Sequence, residues 1–185
     1  MGKRLIFLLG GARSGKSNYA ETWAKEHGKN VLFVATAQAF DDEMRERIAN
    51  HRSTRPLTWD TLETPLHVGA EIMKQDNDYD TILIDCMTLL ASNALLQLPD
   101  DCTQSQADEA ITKEVDNLLE AYEQSIATWL IISNEVGMGL VPPYRLGRLY
   151  RDALGRANQS IASKADEVIF LIAGLPWKLH PYLPD

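Results

Sequence analysis

The chain has 185 residues, 45% of them hydrophobic, and a formal net charge of −8 at pH 7, which suits one domain with a sizeable core. That acidic balance argues against a general nucleic-acid surface, which needs a net basic patch, and no run approaches the roughly 18 continuous apolar residues of a membrane span. Cys86 and Cys102 have neither metal-ligand nor disulfide-framework spacing, and the N-terminal apolar run lacks a cleavage site, so the expectation is a cytoplasmic chain without a signal peptide.

The first predicted strand, 5–9, runs straight into Gly10-Gly11-Ala12-Arg13-Ser14-Gly15-Lys16-Ser17. This fits the phosphate-loop pattern G-x-x-x-x-G-K-[ST] in the strand-before, helix-after context the loop requires. Gly10 and Gly15 can take backbone angles that turn successive N–H groups inward around phosphate oxygens. Lys16 would reach the β- and γ-phosphates, and Ser17 would offer a hydroxyl to Mg²⁺. The helix predicted over 16–27 aims the positive end of its dipole at the same point. Nucleotide binding is implied.

A second strand, 31–35, leads into Ala35-Thr36-Ala37, and Asp41-Asp42-Glu43 opens a helix predicted over 41–54. Asp41 reads as its N-cap, with acids in the first turn complementing the helix dipole. Pro56 ends it at about Arg55. Met44, Ile48 and His51 share a stripe of this helix, with Arg47, Arg52 and Arg55 near His51 in sequence. His51 therefore has two readings: a half-buried histidine on an apolar face, or a nucleophile whose neutral imidazole attacks a phosphoryl group held by guanidinium groups. Spacing does not separate them.

A helix is predicted over 66–75, then a strand over 81–84 that closes on Asp85. An apolar strand ending in a carboxylate resembles a Walker B element, the acid holding Mg²⁺ directly or through water, although acids also end strands for ordinary reasons. Asp80, before the strand, reads as a turn residue. The polar stretch 99–108 reads as a surface loop entering a helix over 105–127. Strand 129–133 then delivers Asn134-Glu135, where Glu135 either caps a glycine-rich turn or touches Mg²⁺. On the helix over 144–163, Arg145, Arg148 and Arg151, with Arg156 beyond, form either a solvated face or phosphate contacts. Strand 168–173 is followed by a turn and a short final strand. His27, His67 and His180 have no supporting constellation and read as surface residues.

Continuous apolar strands alternating with helices predict an α/β fold, a predominantly parallel sheet flanked by helices. Ligands of such sheets bind beyond the carboxyl ends of the strands. No repeat or linker divides the chain, so residues 1–185 are expected to form a single catalytic domain.

The order of residues says more than any one motif. After the phosphate loop come Ala35-Thr36-Ala37, Asp42-Glu43-Met44, Arg47-Ile48, His51-Arg52, Arg55-Pro56, Trp59, Thr61 and Glu63. Downstream lie Asn134-Glu135-Val136-Gly137-Met138-Gly139 and Arg151-Asp152 through Gly155-Arg156-Ala157-Asn158-Gln159. From the first strand to about residue 173 the chain resembles the bifunctional adenosylcobinamide kinase/adenosylcobinamide-phosphate guanylyltransferases of cobalamin biosynthesis.

The resemblance implies a RecA-like P-loop core and a corrinoid substrate. ATP or GTP would phosphorylate the aminopropanol hydroxyl of adenosylcobinamide; GTP would then donate GMP to that phosphate, releasing pyrophosphate. It implies a guanylylated histidine in the R-I-x-x-H-R segment, which is His51 here; position 50, also histidine in some members, is Asn50. It groups Ala35, Thr36, Ala37, Arg52, Ser53, Thr54, Arg55, Glu63 and Asp85 with the phosphate loop at the nucleotide, Glu63 otherwise being a plain surface carboxylate. Mg²⁺ would arrive with the nucleotide on Ser17 and Asp85, Glu135 would touch Mg²⁺ or activate the acceptor hydroxyl, Arg145, Arg148, Arg151 and Arg156 could contact the corrinoid instead of forming a solvated face, and the assembly would be a homotrimer. Two other readings remain at this point, a P-loop small-molecule kinase without a covalent intermediate and a nucleotide-dependent switch; neither uses a histidine among arginines.

Overall fold

The computed structural model describes residues 2–38, 55–76 and 78–179. In chain order these form β1 (Arg4–Gly10), α1 (Lys16–His27), β2 (Val31–Ala35), β3 (Asp60–Glu63), α2 (Val68–Met73), β4 (Thr81–Asp85) and α3 (Met87–Leu95). They continue with α4 (Gln104–Gln124), β5 (Thr128–Ile132), α5 (Arg145–Lys164), β6 (Glu167–Ile172) and β7 (Leu175–Leu179). The helix expected over 41–54 lies outside the described residues.

Hydrophobic burial on both faces sets the sheet. Residues Leu5, Ile6, Phe7 and Leu8 are each at most 1% exposed, as strands covered by helices on both sides require. Side chains alternate across the sheet. Leu5 and Phe7 join one core with Val34, Ile84, Trp129 and the inward faces of α2, α3, α4 and α5. Ile6 and Leu8 join the other with Phe33, Leu83, Leu130 and, from α1, Ala20 and Ala24. The strand order is β3-β2-β4-β5-β1-β6-β7, parallel throughout except for the β6–β7 hairpin. The α/β expectation holds, with the ends of the strands expected at 5–9, 31–35, 81–84, 129–133 and 168–173 each within a residue of those observed.

Local chemistry explains where elements begin. At the start of α4, Thr103 Oγ1 accepts from the Gln106 N–H at 3.3 Å, while Gln106 Oε1 accepts from the Thr103 N–H at 2.8 Å. This reciprocal pair is a capping box, and it closes the expected loop at Gln104. Ahead of β4, the Asp80 carboxylate accepts from the N–H groups of Lys29 and Asn30 at 3.0 and 3.1 Å. It also takes the Thr81 hydroxyl at 2.8 Å, so the expected turn residue ties the α1–β2 turn to the start of β4.

Two elements carry no clear sequence signal. α3 buries Met87, Leu90, Ala91, Asn93, Ala94 and Leu95, so it lacks the polar face that gives helical periodicity its contrast. β3 has the opposite problem: an edge strand of sequence Asp-Thr-Leu-Glu, mostly exposed, held by its pairing with β2.

Candidate functional site

The phosphate loop leaves β1 between its two parallel neighbours, β5 and β6. Gly10 has φ +151° and Gly15 φ +98°, and a Cβ on Gly10 would stand 2.5 Å from the Leu171 carbonyl oxygen and 2.6 Å from Ser14 Oγ. The loop thus needs glycine at position 10 for space as well as for backbone angle. Gly15 is the N-cap of α1. Gly11, Ala12 and Arg13 are exposed, Ser14 and Lys16 are buried, and Ser17 is half-buried on the first turn of α1.

Lys16 turns back over its own loop. Its Nζ donates to the Gly10 carbonyl at 3.0 Å, the Gly11 carbonyl at 2.7 Å and Ser14 Oγ at 3.4 Å. Burial lowers its pKa below the ordinary lysine value, against the opposing pull of Cys86 and Asp85. An ammonium held by neutral carbonyls at a helix N-terminus suits a phosphate group, whose oxygens would be stronger, charged acceptors.

Asp85 stands at the end of β4, level with Ile132 of β5, which is itself level with Leu8 of β1. One strand intervenes, so the acid lies two strand spacings, roughly 10 Å, from the β1 backbone. That separation fits an acid acting through a metal on a bound phosphate. A hard cation takes oxygen ligands, and the Ser17 hydroxyl and Asp85 carboxylate have the right chemistry. Among the described residues no three His, Cys, Asp or Glu side chains group closely enough to hold a metal by themselves, so phosphate oxygens would complete any such set.

The segment after β2 is fastened to the segment after β4. Thr36 is fully buried; its hydroxyl donates to the Cys86 carbonyl at 2.7 Å and accepts the Cys86 N–H at 2.9 Å. Its own N–H donates to the Asp85 carbonyl at 3.2 Å. Asn93 Nδ2 donates to the Thr36 carbonyl at 2.8 Å and the Pro65 carbonyl at 3.0 Å. The Thr36 side chain is therefore a brace that sets Ala35 and Ala37 beside Asp85. Asn93 does comparable work, but it sits on the helix without a sequence signal. Burial, and the neighbouring Asp85 charge after it, push the Cys86 thiol up to about 11.

Arg55 lays its guanidinium over the Phe33 ring, 3.5 Å from the centroid, a cation–π stack on β2. Glu63 ends β3 opposite Ala35 and is exposed. His51, Arg52, Ser53 and Thr54, like Arg47, lie outside the described residues.

The third strand end belongs to β5. Ser133 Oγ donates to Asn158 Oδ1 at 2.7 Å, Asn158 Nδ2 donates to the Asn134 carbonyl at 3.0 Å, and the Asn134 N–H donates to Thr88 Oγ1 at 2.9 Å. The Glu135 N–H then bonds the Gly10 carbonyl at 3.1 Å, and its carboxylate accepts the Gly137 N–H at 2.6 Å. The turn-capping reading of Glu135 is thus present, right against the phosphate loop. The arginines of α5 divide: Arg145 and Arg148 bond loop carbonyls, while Arg151 and Arg156 pair with Asp152 and Asp108. His27 is exposed and stacks on Trp23, and exposed His67 pairs with Glu114.

A phosphate loop at the end of a central parallel strand, with β5 inserted between it and the acid-ending β4, defines a P-loop nucleotide-binding protein with a RecA-like core. Its fold is similar to a solved structure described as a prototypical ATPase from the type III secretion system of pathogenic bacteria, with TM-score 0.62 and 11% identity. The match covers 96% of this chain and 57% of that one, a likeness of fold alone. Residues 6–179 match the family described as cobinamide kinase / cobinamide phosphate guanyltransferase, and the chain belongs to that family. It is 38% identical over 180 residues to the bifunctional adenosylcobalamin biosynthesis protein CobU of Escherichia coli strain K12, covering 95% of this chain and 99% of that relative. It is 42% identical over 172 residues to the bifunctional adenosylcobalamin biosynthesis protein CobP of Pseudomonas aeruginosa, covering 93% and 95%.

Proposed function

We propose that this protein is a bifunctional enzyme of cobalamin biosynthesis that phosphorylates adenosylcobinamide and then transfers GMP to the product. The observation that carries the reading is the phosphate loop closed over buried Lys16, in a chain whose family is described by both activities.

In the first step the aminopropanol hydroxyl oxygen attacks the γ-phosphorus of ATP or GTP. A new O–P bond forms, the bond to the bridging oxygen breaks, the nucleoside diphosphate leaves, and the hydroxyl proton is released to solvent. In the second step an imidazole nitrogen of His51 attacks the α-phosphorus of GTP, and pyrophosphate leaves. A phosphate oxygen of adenosylcobinamide phosphate then displaces the imidazole, which breaks the N–P bond and gives adenosylcobinamide-GDP. The covalent intermediate splits one difficult displacement into two. His51 must be neutral to attack, and cationic arginines set beside it would favour that form.

Lys16 would exchange its loop carbonyls for β- and γ-phosphate oxygens. Ala35 to Ala37, Ser53, Thr54 and Glu63 would complete the nucleotide site. Ser17 and Asp85 would hold Mg²⁺, which when bound neutralises charge on the phosphates. The working form on this reading is a homo-oligomer, a trimer, in the cytoplasm, acting as one catalytic domain. The test is incubation with α-labelled GTP and Mg²⁺ without corrinoid, followed by peptide mass analysis. An acid-labile GMP adduct on His51, absent from His51→Ala, is expected; no adduct while GTP demonstrably binds would leave a simple kinase.

A further inference from the structure

Beside the phosphate loop a cleft of about 480 Å³ opens between the segment after β5 and one face of α5. It lies within the size range of small-molecule sites. Leu9, the residue before the loop, lines it, as does Glu135, whose N–H is bonded to the Gly10 carbonyl. The cleft therefore opens at the same end of β1 as the reacting phosphates would occupy.

Its lining carries both charges. Arg151 holds one Asp152 oxygen with Nε and Nη2, each at 2.9 Å, and Arg156 Nη1 holds Asp108 at 2.9 Å. Each guanidinium has five N–H donors, so both forks are oriented with donors to spare. Such a lining suits an acceptor that enters neutral and returns anionic. A hydroxyl can give its hydrogen bond to a carboxylate, and a phosphate monoester can be gripped by arginine.

We propose that this cleft is the acceptor site, taking the aminopropanol arm of the corrinoid first as the alcohol and then as its phosphate monoester, with Arg151 and Arg156 meeting the phosphate. The assignment rests on the two-step reading above. A polyamide macrocycle is too large for the cleft, so the arm enters and the ring stays outside. One residue makes the idea testable without touching a polar group: Gly155 lines the cleft, and a Cβ built on it meets nothing within 4 Å. A larger side chain there improves helix propensity and projects into the space the arm would fill.

The experiment measures KM for adenosylcobinamide and for its phosphate in the full-length protein, with GMP loading from GTP alone as a separate readout of the nucleotide site. Gly155→Leu is expected to raise both acceptor KM values about tenfold or more while still loading GMP. Arg151→Gln is expected to raise KM for the phosphate by on the order of tenfold and for the alcohol far less, as loss of a charge-assisted bond predicts. Unchanged KM values for both acceptors in folded Gly155→Leu that loads GMP would overturn the cleft assignment. If Gly155→Leu does not fold, Arg151→Gln decides: unequal effects on the two acceptors support the site, equal ones overturn it. Wild-type protein that loads no GMP and phosphorylates no alcohol would sink the two-step reading itself, and the cleft with it.

Discussion

Gly174 lies against Gly15. The Gly174 N–H donates to the Ser14 carbonyl at 2.9 Å, and a Cβ on Gly15 would stand 3.0 Å from Gly174 Cα. The β6–β7 turn therefore buttresses the phosphate loop from the side away from β5, and the loop is shaped by backbone contacts on both flanks.

That packing separates the glycines of the loop. Gly10→Ala and Gly15→Ala force a side chain into a positive-φ backbone and against neighbouring backbone, so each is expected to cost roughly 1–3 kcal/mol of stability. Gly11, where a Cβ meets nothing within 4 Å, should accept alanine within about 0.5 kcal/mol. Urea denaturation midpoints of the three variants check this. A Gly11→Ala loss as large as that of Gly10→Ala would show that the loop is not held as described.

Lys16 and His51 should fail differently. Lys16→Ala removes the ammonium from the phosphate loop, which on the proposed reading serves the nucleotide in both reactions. Phosphorylation and GMP loading should each fall on the order of 10²–10³-fold, the usual consequence of deleting one preorganised electrostatic group. His51→Ala should abolish GMP loading and retain phosphorylation. Assaying the two half-reactions separately distinguishes the variants; equal loss of both in well-folded His51→Ala would argue against the division of labour.

Much of this arrangement was legible because two kinds of signal are local. The buried strands are continuous apolar runs, and the phosphate loop carries its chemistry within eight consecutive residues, 10–17. Other features depend on distant partners. Asn93 matters because it bridges Thr36 and Pro65, and its helix, buried nearly all round, hides its periodicity. β3 is a strand because β2 offers it a free edge, not because Asp60-Thr61-Leu62-Glu63 alternates in polarity. The cleft beside α5 is likewise assembled from β1, the segment after β5 and α5. In the sequence, Arg151 and Arg156 could form a solvated face or meet phosphate or corrinoid, and their run along one helix does not say which.

Two acids, one at each end of β4, offer a contrast between support and chemistry. Asp80 accepts two main-chain N–H bonds and a threonine hydroxyl, whereas Asp85 faces Lys16 closely enough to influence its titration. Asp80→Ala should lower stability by about 1–2 kcal/mol and leave turnover per folded molecule intact. Asp85→Asn should leave melting nearly unchanged and reduce phosphorylation on the order of 10²-fold or more. Thermal melts paired with specific activity read both effects, and a stability defect in Asp85→Asn without loss of turnover would reverse the assignment.

Cys86 supplies a pH signature of the braced strand end. Burial, with Asp85 adding to it, pushes its thiol up from 9.0 to about 11, so the folded protein keeps a proton that the unfolded chain releases. A raised pKa of this kind stabilises the fold fully below pH 9, and that contribution is lost as pH rises through 11. The loss amounts to roughly 2–3 kcal/mol. Lys16, whose pKa burial lowers against the pull of Cys86, titrates with the opposite sign, so the difference between wild type and Cys86→Ala reports the thiol together with the change in its pull on Lys16. Wild type should lose stability relative to Cys86→Ala between pH 9 and 11, measured by urea denaturation. At pH 8 the scarcity of thiolate should slow alkylation of Cys86 on the order of 10²-fold relative to the unfolded chain. Parallel stability curves for the two proteins, together with rapid alkylation of Cys86 in the native state, would mean that the strand end does not bury the thiol.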